Sequence, residues 1–318
     1  MITLADVQDA HFRIATYIRR TDTLENQSLS QQLNTHLYLK LELFQKTGSF
    51  KPRAAFSKML RLSKEERIRG TVAVSGGNFA QGVAYAGKTL GIPTTVVMPA
   101  YTPKNYIDAT QSYGARIELV PDIPSAFEAA EQHRQGGQIF LHPYDDPDVM
   151  AGNGTIGLEL IEQVPEITDV IVSVGGGGLM SGVTVALKSL KPQIRVWTVE
   201  TEGAATLASA LQAGKVVQIH PNSLAKTLGA PNVAVDALTI AQQHIARHIL
   251  VSDREAYWAQ WFLLERAKIL TELSAACTLA AANKLKEHFS NNRHVVLILC
   301  GGNVSLENLV EYHSLFDK

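Results

Sequence analysis

Asp169-Val170-Ile171-Val172-Ser173-Val174-Gly175-Gly176-Gly177-Gly178-Leu179 joins an apolar run to four consecutive glycines and then to a helix-forming segment. The run is short and does not alternate, which predicts a strand buried on both faces. Glycines directly after such a strand let backbone N–H groups converge on an anion. The helix that follows brings the positive end of its dipole to the same point. Strand, glycine turn and helix in this order predict an α/β fold with a phosphate cradle. A tight structural turn is the competing reading.

The same grammar extends outward. Further strands are predicted at Leu37–Leu43, Thr71–Ser75, Thr94–Met98, Arg116–Val120, Arg195–Glu200 and His294–Leu299. Helical patterns lie between them, at Phe79–Leu90, Ile123–Gln135, Thr155–Gln163 and Leu179–Ser189. Alternation of this kind predicts parallel sheets covered by helices. The block 70–145 reads as an α/β unit of its own, with Pro143-Tyr144-Asp145-Asp146-Pro147 as the return link. Two domains are therefore expected: a large one from 1–69 and 146–318, and a small one inserted at 70–145. A ligand belongs in the cleft between them, at strand C-terminal ends.

Composition narrows the class. The chain has 318 residues, 46% of them hydrophobic, and a formal net charge of -1. That charge offers no footprint for nucleic acid or an anionic membrane. No apolar run reaches spanning length, and the N-terminus shows no signal-peptide pattern. Two cysteines, Cys277 and Cys300, make no disulfide framework. A cytoplasmic enzyme acting on a small molecule is expected.

A second stretch bears on chemistry: Gly48-Ser49-Phe50-Lys51-Pro52-Arg53-Ala54. A lysine in water holds its proton and is a poor nucleophile. Desolvation frees the amine for carbonyl chemistry, which arginine cannot perform. The plain alternative is a surface lysine beside a helix start, with Pro52 at the first helical position.

Ser75-Gly76-Gly77-Asn78 also sits between a strand and a helix. It reads either as a helix cap or as a polar platform for a carboxylate or cofactor oxygen. Leu299-Cys300-Gly301-Gly302-Asn303 ends the last strand, and its thiol either packs inertly or faces a ligand. Two lookalikes compete. Gly82-Val83-Ala84-Tyr85-Ala86-Gly87-Lys88-Thr89 matches the nucleotide P-loop pattern, but a helix should already have begun near Phe79. Gly176, Gly178 and Ser181, with Glu200 ending the next strand, nearly match a dinucleotide fingerprint. That second likeness keeps a Rossmann-type nicotinamide oxidoreductase as the different-class alternative, although it leaves Lys51 and Asn78 without a role. Metal and protease signatures such as C-x-x-C, H-E-x-x-H and G-x-S-x-G are absent.

Lys51, the Ser75–Asn78 loop, the tetraglycine turn and the Cys300–Asn303 turn, taken in order, resemble the fold-type II pyridoxal-phosphate enzymes. Within these the chain is most similar to the threonine/serine dehydratase and serine racemase group. His142–Pro147 and Ala151-Gly152-Asn153-Gly154-Thr155 extend the resemblance to nearly the whole chain. The resemblance implies a tryptophan synthase β-like fold, two open twisted α/β domains with the cofactor in the cleft, and a homodimer. It implies pyridoxal 5'-phosphate as cofactor and Lys51 as the Schiff-base lysine. Gly175, Gly176, Gly177, Gly178 and Leu179 would hold the phosphate. Asn78 would meet the phenolic oxygen, Cys300 the pyridine nitrogen, and Phe50 the side of the ring. Ser75, Gly77 and Asn78 would receive the substrate carboxylate.

The implied reaction is β-elimination from L-threonine or L-serine, giving a 2-oxo acid and ammonia. Hydroxyaspartate dehydration and serine racemisation are alternatives on the same scaffold. Several positions depart from the group. Gly76 stands where the racemase has a serine that serves as a second base, which disfavours racemisation. Phe79 replaces a frequent histidine. A divalent ion would use Glu200 and Ala204, but Thr206 replaces the second acid, so the metal is doubtful. Glu200 is otherwise a strand-end acid. Glu272 resembles a glutamate near the cofactor ring, or else a helix-start acid favoured by the dipole. Ser223-Leu224-Ala225-Lys226-Thr227-Leu228-Gly229 replaces a usual Ala-Asp-Gly segment. The residues after Asn303 are too few for a regulatory domain, so feedback by isoleucine is not expected.

Overall fold

The computed structural model describes residues 1–317. Ten strands form two sheets. In chain order they are β1 (Thr23–Glu25), β2 (His36–Lys40), β3 (Thr71–Val74), β4 (Thr94–Pro99), β5 (Arg116–Val120), β6 (Ile139–Leu141), β7 (Asp169–Ser173), β8 (Arg195–Thr201), β9 (Ile245–Val251) and β10 (His294–Ile298).

The larger sheet runs β1-β2-β10-β7-β8-β9 and the smaller β5-β4-β3-β6. Every pairing is parallel except β1 with β2. All residues of β3, β4 and β7 are buried, as expected for strands with helices over both faces.

This order positions the motifs. β2, β10 and β7 are neighbours. Their C-terminal ends lead into the Lys51 segment, Cys300 and the glycine turn. In the smaller sheet, β4, β3 and β6 are neighbours and lead into Thr102, Ser75–Asn78 and His142–Tyr144. All four strands of that sheet lie within 70–145, yet its core also takes in Ile14, Phe56, Met59 and Val149.

Two expectations change, and a third holds. The strand predicted at Leu37–Leu43 stops at Lys40, because the chain turns through Leu41 into a 3-10 turn at Glu42–Phe44. The helix predicted at Thr155–Gln163 begins at Pro147. The P-loop lookalike Gly82–Thr89 lies wholly inside the helix Asn78–Leu90, so it cradles no phosphate. Cys277 and Cys300 are both unpaired. Among the described residues no helix is long and apolar enough to cross a membrane.

Candidate active site

Lys51 opens the helix Lys51–Met59, with Pro52 in the first turn. The segment before it is tied to the turn after β10 by backbone pairing. Ser49 bridges Gly301, the Phe50 N–H donates to the Cys300 carbonyl at 3.0 Å, and the Gly302 N–H donates to the Gly48 carbonyl at 2.9 Å. Gly48 has φ +73, and a Cβ there would lie 2.5 Å from Asn303 Oδ1. The helix Asn78–Leu90 approaches as closely: a Cβ on Gly82 would be 3.1 Å from the Lys51 backbone.

Lys51 Nζ donates to the Pro143 carbonyl at 2.9 Å. It lies 5.0 Å from the Phe50 ring centroid and 5.2 Å from that of Phe79. Burial drives its pKa from 10.5 down to about 8, against the weaker pull of Cys300 and Glu272. Accessible area counts Lys51 as only half-buried. Its amine nevertheless sits against the Phe50 and Phe79 rings and the Pro143 carbonyl, surroundings that disfavour the charged form.

Asn78 links three elements. Its Nδ2 donates to Glu272 Oε1 at 2.9 Å and Oε2 at 3.0 Å, and its Oδ1 accepts from Asn303 Nδ2 at 2.8 Å. Thr227, from the altered Ser223–Gly229 segment, donates its hydroxyl to Glu272 Oε1 at 2.9 Å. Burial raises the Glu272 pKa, moderated by Asn78 and Thr227. Burial, with Glu272 second, also pushes the Cys300 thiol well above its ordinary value, so the thiol stays neutral. Ser75 Oγ accepts from the Gly77 N–H at 3.2 Å, which closes the loop before the helix.

The glycine turn is shaped for close approach. Gly177 has φ +92, and a Cβ on it would fall 2.4 Å from Ala237 Cβ. A Cβ on Gly176 would fall 2.1 Å from the Tyr144 ring. The helix Gly178–Leu190 begins here, and its first-turn N–H groups have no intrahelical acceptor. A side-chain-free turn with unspent N–H groups, packed on Tyr144 next to the Pro143 carbonyl that holds the Lys51 amine, fits the phosphate and aldehyde of pyridoxal phosphate.

The expected metal position fits less well. Glu200 Oε1 accepts from the Leu207 N–H at 2.8 Å and Oε2 from the Ala208 N–H at 3.0 Å. His248 Nε2 lies 3.1 Å from Oε2, and the Thr206 hydroxyl donates to the Ala230 carbonyl at 3.0 Å. Ala204 is fully buried. Glu200 thus serves as a helix cap whose charge already has partners, and the surroundings do not fit a divalent ion.

Sequence reasoning passed over Pro143 and Tyr144 as a link, gave Asn303 no role, and did not mention Thr102. The signal was available for the first two: they directly follow a strand of the smaller sheet and so fall at its C-terminal edge.

A buried lysine, a glycine cradle and a neutral thiol at the ends of parallel strands define a cofactor-dependent enzyme of the α/β class. The chain matches the family described as "Pyridoxal-phosphate dependent enzyme" over residues 14–301, and it belongs to that family. It is 39% identical to an L-threonine ammonia-lyase of Thermotoga maritima over 315 residues, covering 98% of this chain and 78% of the relative. Among solved structures it superposes on maize serine racemase with a TM-score of 0.92 at 32% identity, covering 99% and 97% of the two chains. The processed form of threonine deaminase isoform 2 from Solanum lycopersicum gives a TM-score of 0.92 at 30% identity, covering 98% and 92%. The family match over most of the chain sets aside the nicotinamide alternative.

Proposed function

We propose that the chain catalyses β-elimination from L-threonine or L-serine, releasing a 2-oxo acid and ammonia. The observation that carries this reading is Lys51: a buried amine with a pKa near 8, held by a carbonyl. Such a group reaches the free-base form near neutral pH and can take a proton from a carbon acid.

When bound, pyridoxal phosphate supplies the electron sink that makes the Cα proton removable. The chain's own residues do the rest. The Gly175–Gly178 N–H groups, with Leu179, would hold the phosphate. Phe50 would pack beside the ring, Asn78 would meet the phenolic oxygen, and Cys300 the ring nitrogen. A thiol with a raised pKa is a weak partner there and cannot hold that nitrogen protonated. That weak pairing would suit elimination, in which the β-hydroxyl departs with an electron pair. Ser75, Gly77 and Asn78 receive the substrate carboxylate, and Lys51 moves the proton at Cα. Gly76 offers no side chain for a second proton transfer, which favours elimination over racemisation.

The homodimer and the cytoplasm belong to the same proposal, the first on the resemblance and the second on the two unpaired cysteines. So does the division into 1–69 with 146–318 and an inserted 70–145. The two sheets support that division, and the shared core at Ile14, Phe56 and Val149 sets its limit.

The test is to incubate the holoenzyme with L-threonine, L-serine and hydroxyaspartate and to follow ammonia and 2-oxo acid together. Equal amounts of both from threonine or serine are expected, with turnover in Lys51→Ala reduced by a factor of about 10³ or more. Normal turnover in Lys51→Ala, or D-serine formed as fast as pyruvate, would sink the reading.

A further inference from the structure

Gly76 lies in the loop between β3 and the helix Asn78–Leu90, and Thr102 stands directly against it. A Cβ built on Gly76 would come within 2.6 Å of Thr102 Oγ1, 3.4 Å of its Cγ2 and 3.5 Å of its Cβ. Thr102 therefore fills the volume that a side chain at position 76 would need.

The threonine is fixed from below. It follows β4, its N–H donates to the Pro99 carbonyl at 2.9 Å, and it is 7% exposed. Its hydroxyl makes no hydrogen bond to another described residue. Thr94 and Thr110, also buried, use theirs: Thr94 donates to the Ile92 carbonyl at 3.1 Å, and Thr110 to the Tyr106 carbonyl at 2.7 Å. Thr184 and Thr271 do not, but neither stands against the loop after β3. A valine would fill the same space, so packing does not account for the oxygen. An unspent O–H beside a loop that lacks cationic side chains is suited to one job, donating to an anionic oxygen that arrives with the substrate.

We propose that Thr102 is a substrate-positioning residue, whose hydroxyl donates to the α-carboxylate of the bound amino acid across Gly76. This rests on the β-elimination reading above and extends its carboxylate site from one loop to two, joining the ends of β3 and β4. Among the described residues no carboxylate or imidazole is hydrogen-bonded to the Thr102 hydroxyl, so the residue is assigned to orienting substrate and not to shuttling protons. Lys51 remains the single side-chain base.

The test uses the holoenzyme with L-threonine and L-serine. Thr102→Val keeps the shape and removes the hydroxyl. It should raise KM about tenfold while kcat stays within about twofold, the pattern of lost ground-state binding. Thr102→Ser should stay within about threefold of the parent in KM. Gly76→Ser in a Thr102→Ala background returns a hydroxyl to the same volume and should recover most of the lost affinity. Substrate affinity, read from the change in cofactor absorption on adding L-serine, should fall in parallel in Thr102→Val. That readout applies even to a chain that turns nothing over, so a failed elimination reading is told apart from a failed role for Thr102. An unchanged KM and substrate affinity in Thr102→Val would overturn the proposal. So would a loss confined to kcat, or D-serine formation that disappears in Thr102→Val, since that would make the hydroxyl a proton carrier. If Thr102→Val does not bind cofactor, the comparison of Thr102→Ser with Thr102→Ala decides by the same criteria.

Discussion

Lys51 and Arg53 share the first turns of one helix and both place their charged ends away from bulk water, Arg53 wholly and Lys51 in part, yet their surroundings drive them in opposite directions. Arg53 donates to Glu42 Oε1 and Oε2 at 2.8 Å each, and to Glu159 Oε1 at 2.6 Å and Oε2 at 2.9 Å. Lys40 joins the cluster at 2.5 Å from Glu159 Oε2. Two cations and two carboxylates cancel, and the Arg53 pKa rises despite burial. Lys51 has a carbonyl where Arg53 has carboxylates, and its pKa falls to about 8. The same helix thus carries one charge locked in place and one amine ready to lose its proton. A fully paired buried ion is fixed in its protonation state and fit only for structure; an unpaired one is costly to fold and available for chemistry.

The largest effect should come from breaking the paired side. Arg53→Ala leaves Glu42 and Glu159 buried with Lys40 as their only cation. Urea denaturation should show a loss of about 3–5 kcal/mol. Arg53→Lys should recover only part, because an ammonium cannot fork to both carboxylates. A loss under about 1 kcal/mol would mean that the cluster is solvated or rearranges.

The unpaired side should respond with the opposite sign. A lysine with a lowered folded pKa costs stability below pH 8, where the folded protein must hold the buried charge. Between pH 8 and 10.5 the unfolded chain binds more protons, so the cost fades as pH rises. Cofactor-free Lys51→Met should therefore be more stable than the parent at pH 7, by about 1–2 kcal/mol once partial exposure is allowed for. The gap should close as pH rises through 8 toward 10.5. A gap that stays constant with pH would contradict the assignment of this cost to the buried amine.

Much of this contrast is legible in the sequence, and the exceptions have physical causes. The apolar runs at β3, β4, β7, β8 and β10 announce strands because burial on both faces leaves few polar interruptions, whereas β5, a partly exposed edge strand, alternates Arg116 and Glu118 with Ile117 and Leu119. β9 went unread, since Arg247 and His248 interrupt it; His248 turns toward Thr198 and Glu200 on the neighbouring strand. The start of the helix Pro147–Gln163 was hidden by Gly152, Asn153 and Gly154, which look like loop residues. They are helical because helices cross closely there. A Cβ on Gly152 would lie 2.4 Å from the Arg53 carbonyl, and one on Gly154 2.8 Å from the Gly182 carbonyl. Spacing shows that glycines are present but not what approaches them. The same blindness hid Thr102: a sequence shows that position 76 lacks a side chain, not that a threonine from the turn after the next strand stands in its place. Lys51, Asn78, the glycine turn and Cys300 are legible as candidates because each follows or faces a strand end. Arg53 was quoted beside Lys51, but its two carboxylates come from distant parts of the chain.

The central claim is that Lys51, and no paired lysine, carries the carbonyl chemistry. Borohydride reduction of the pyridoxal-phosphate-loaded protein, followed by peptide mass mapping, tests it most directly. One phosphopyridoxyl group per chain is expected, on the peptide that contains Lys51, with Lys40 unmodified. A label on another lysine, or full cofactor loading with no reducible link at Lys51, would contradict it.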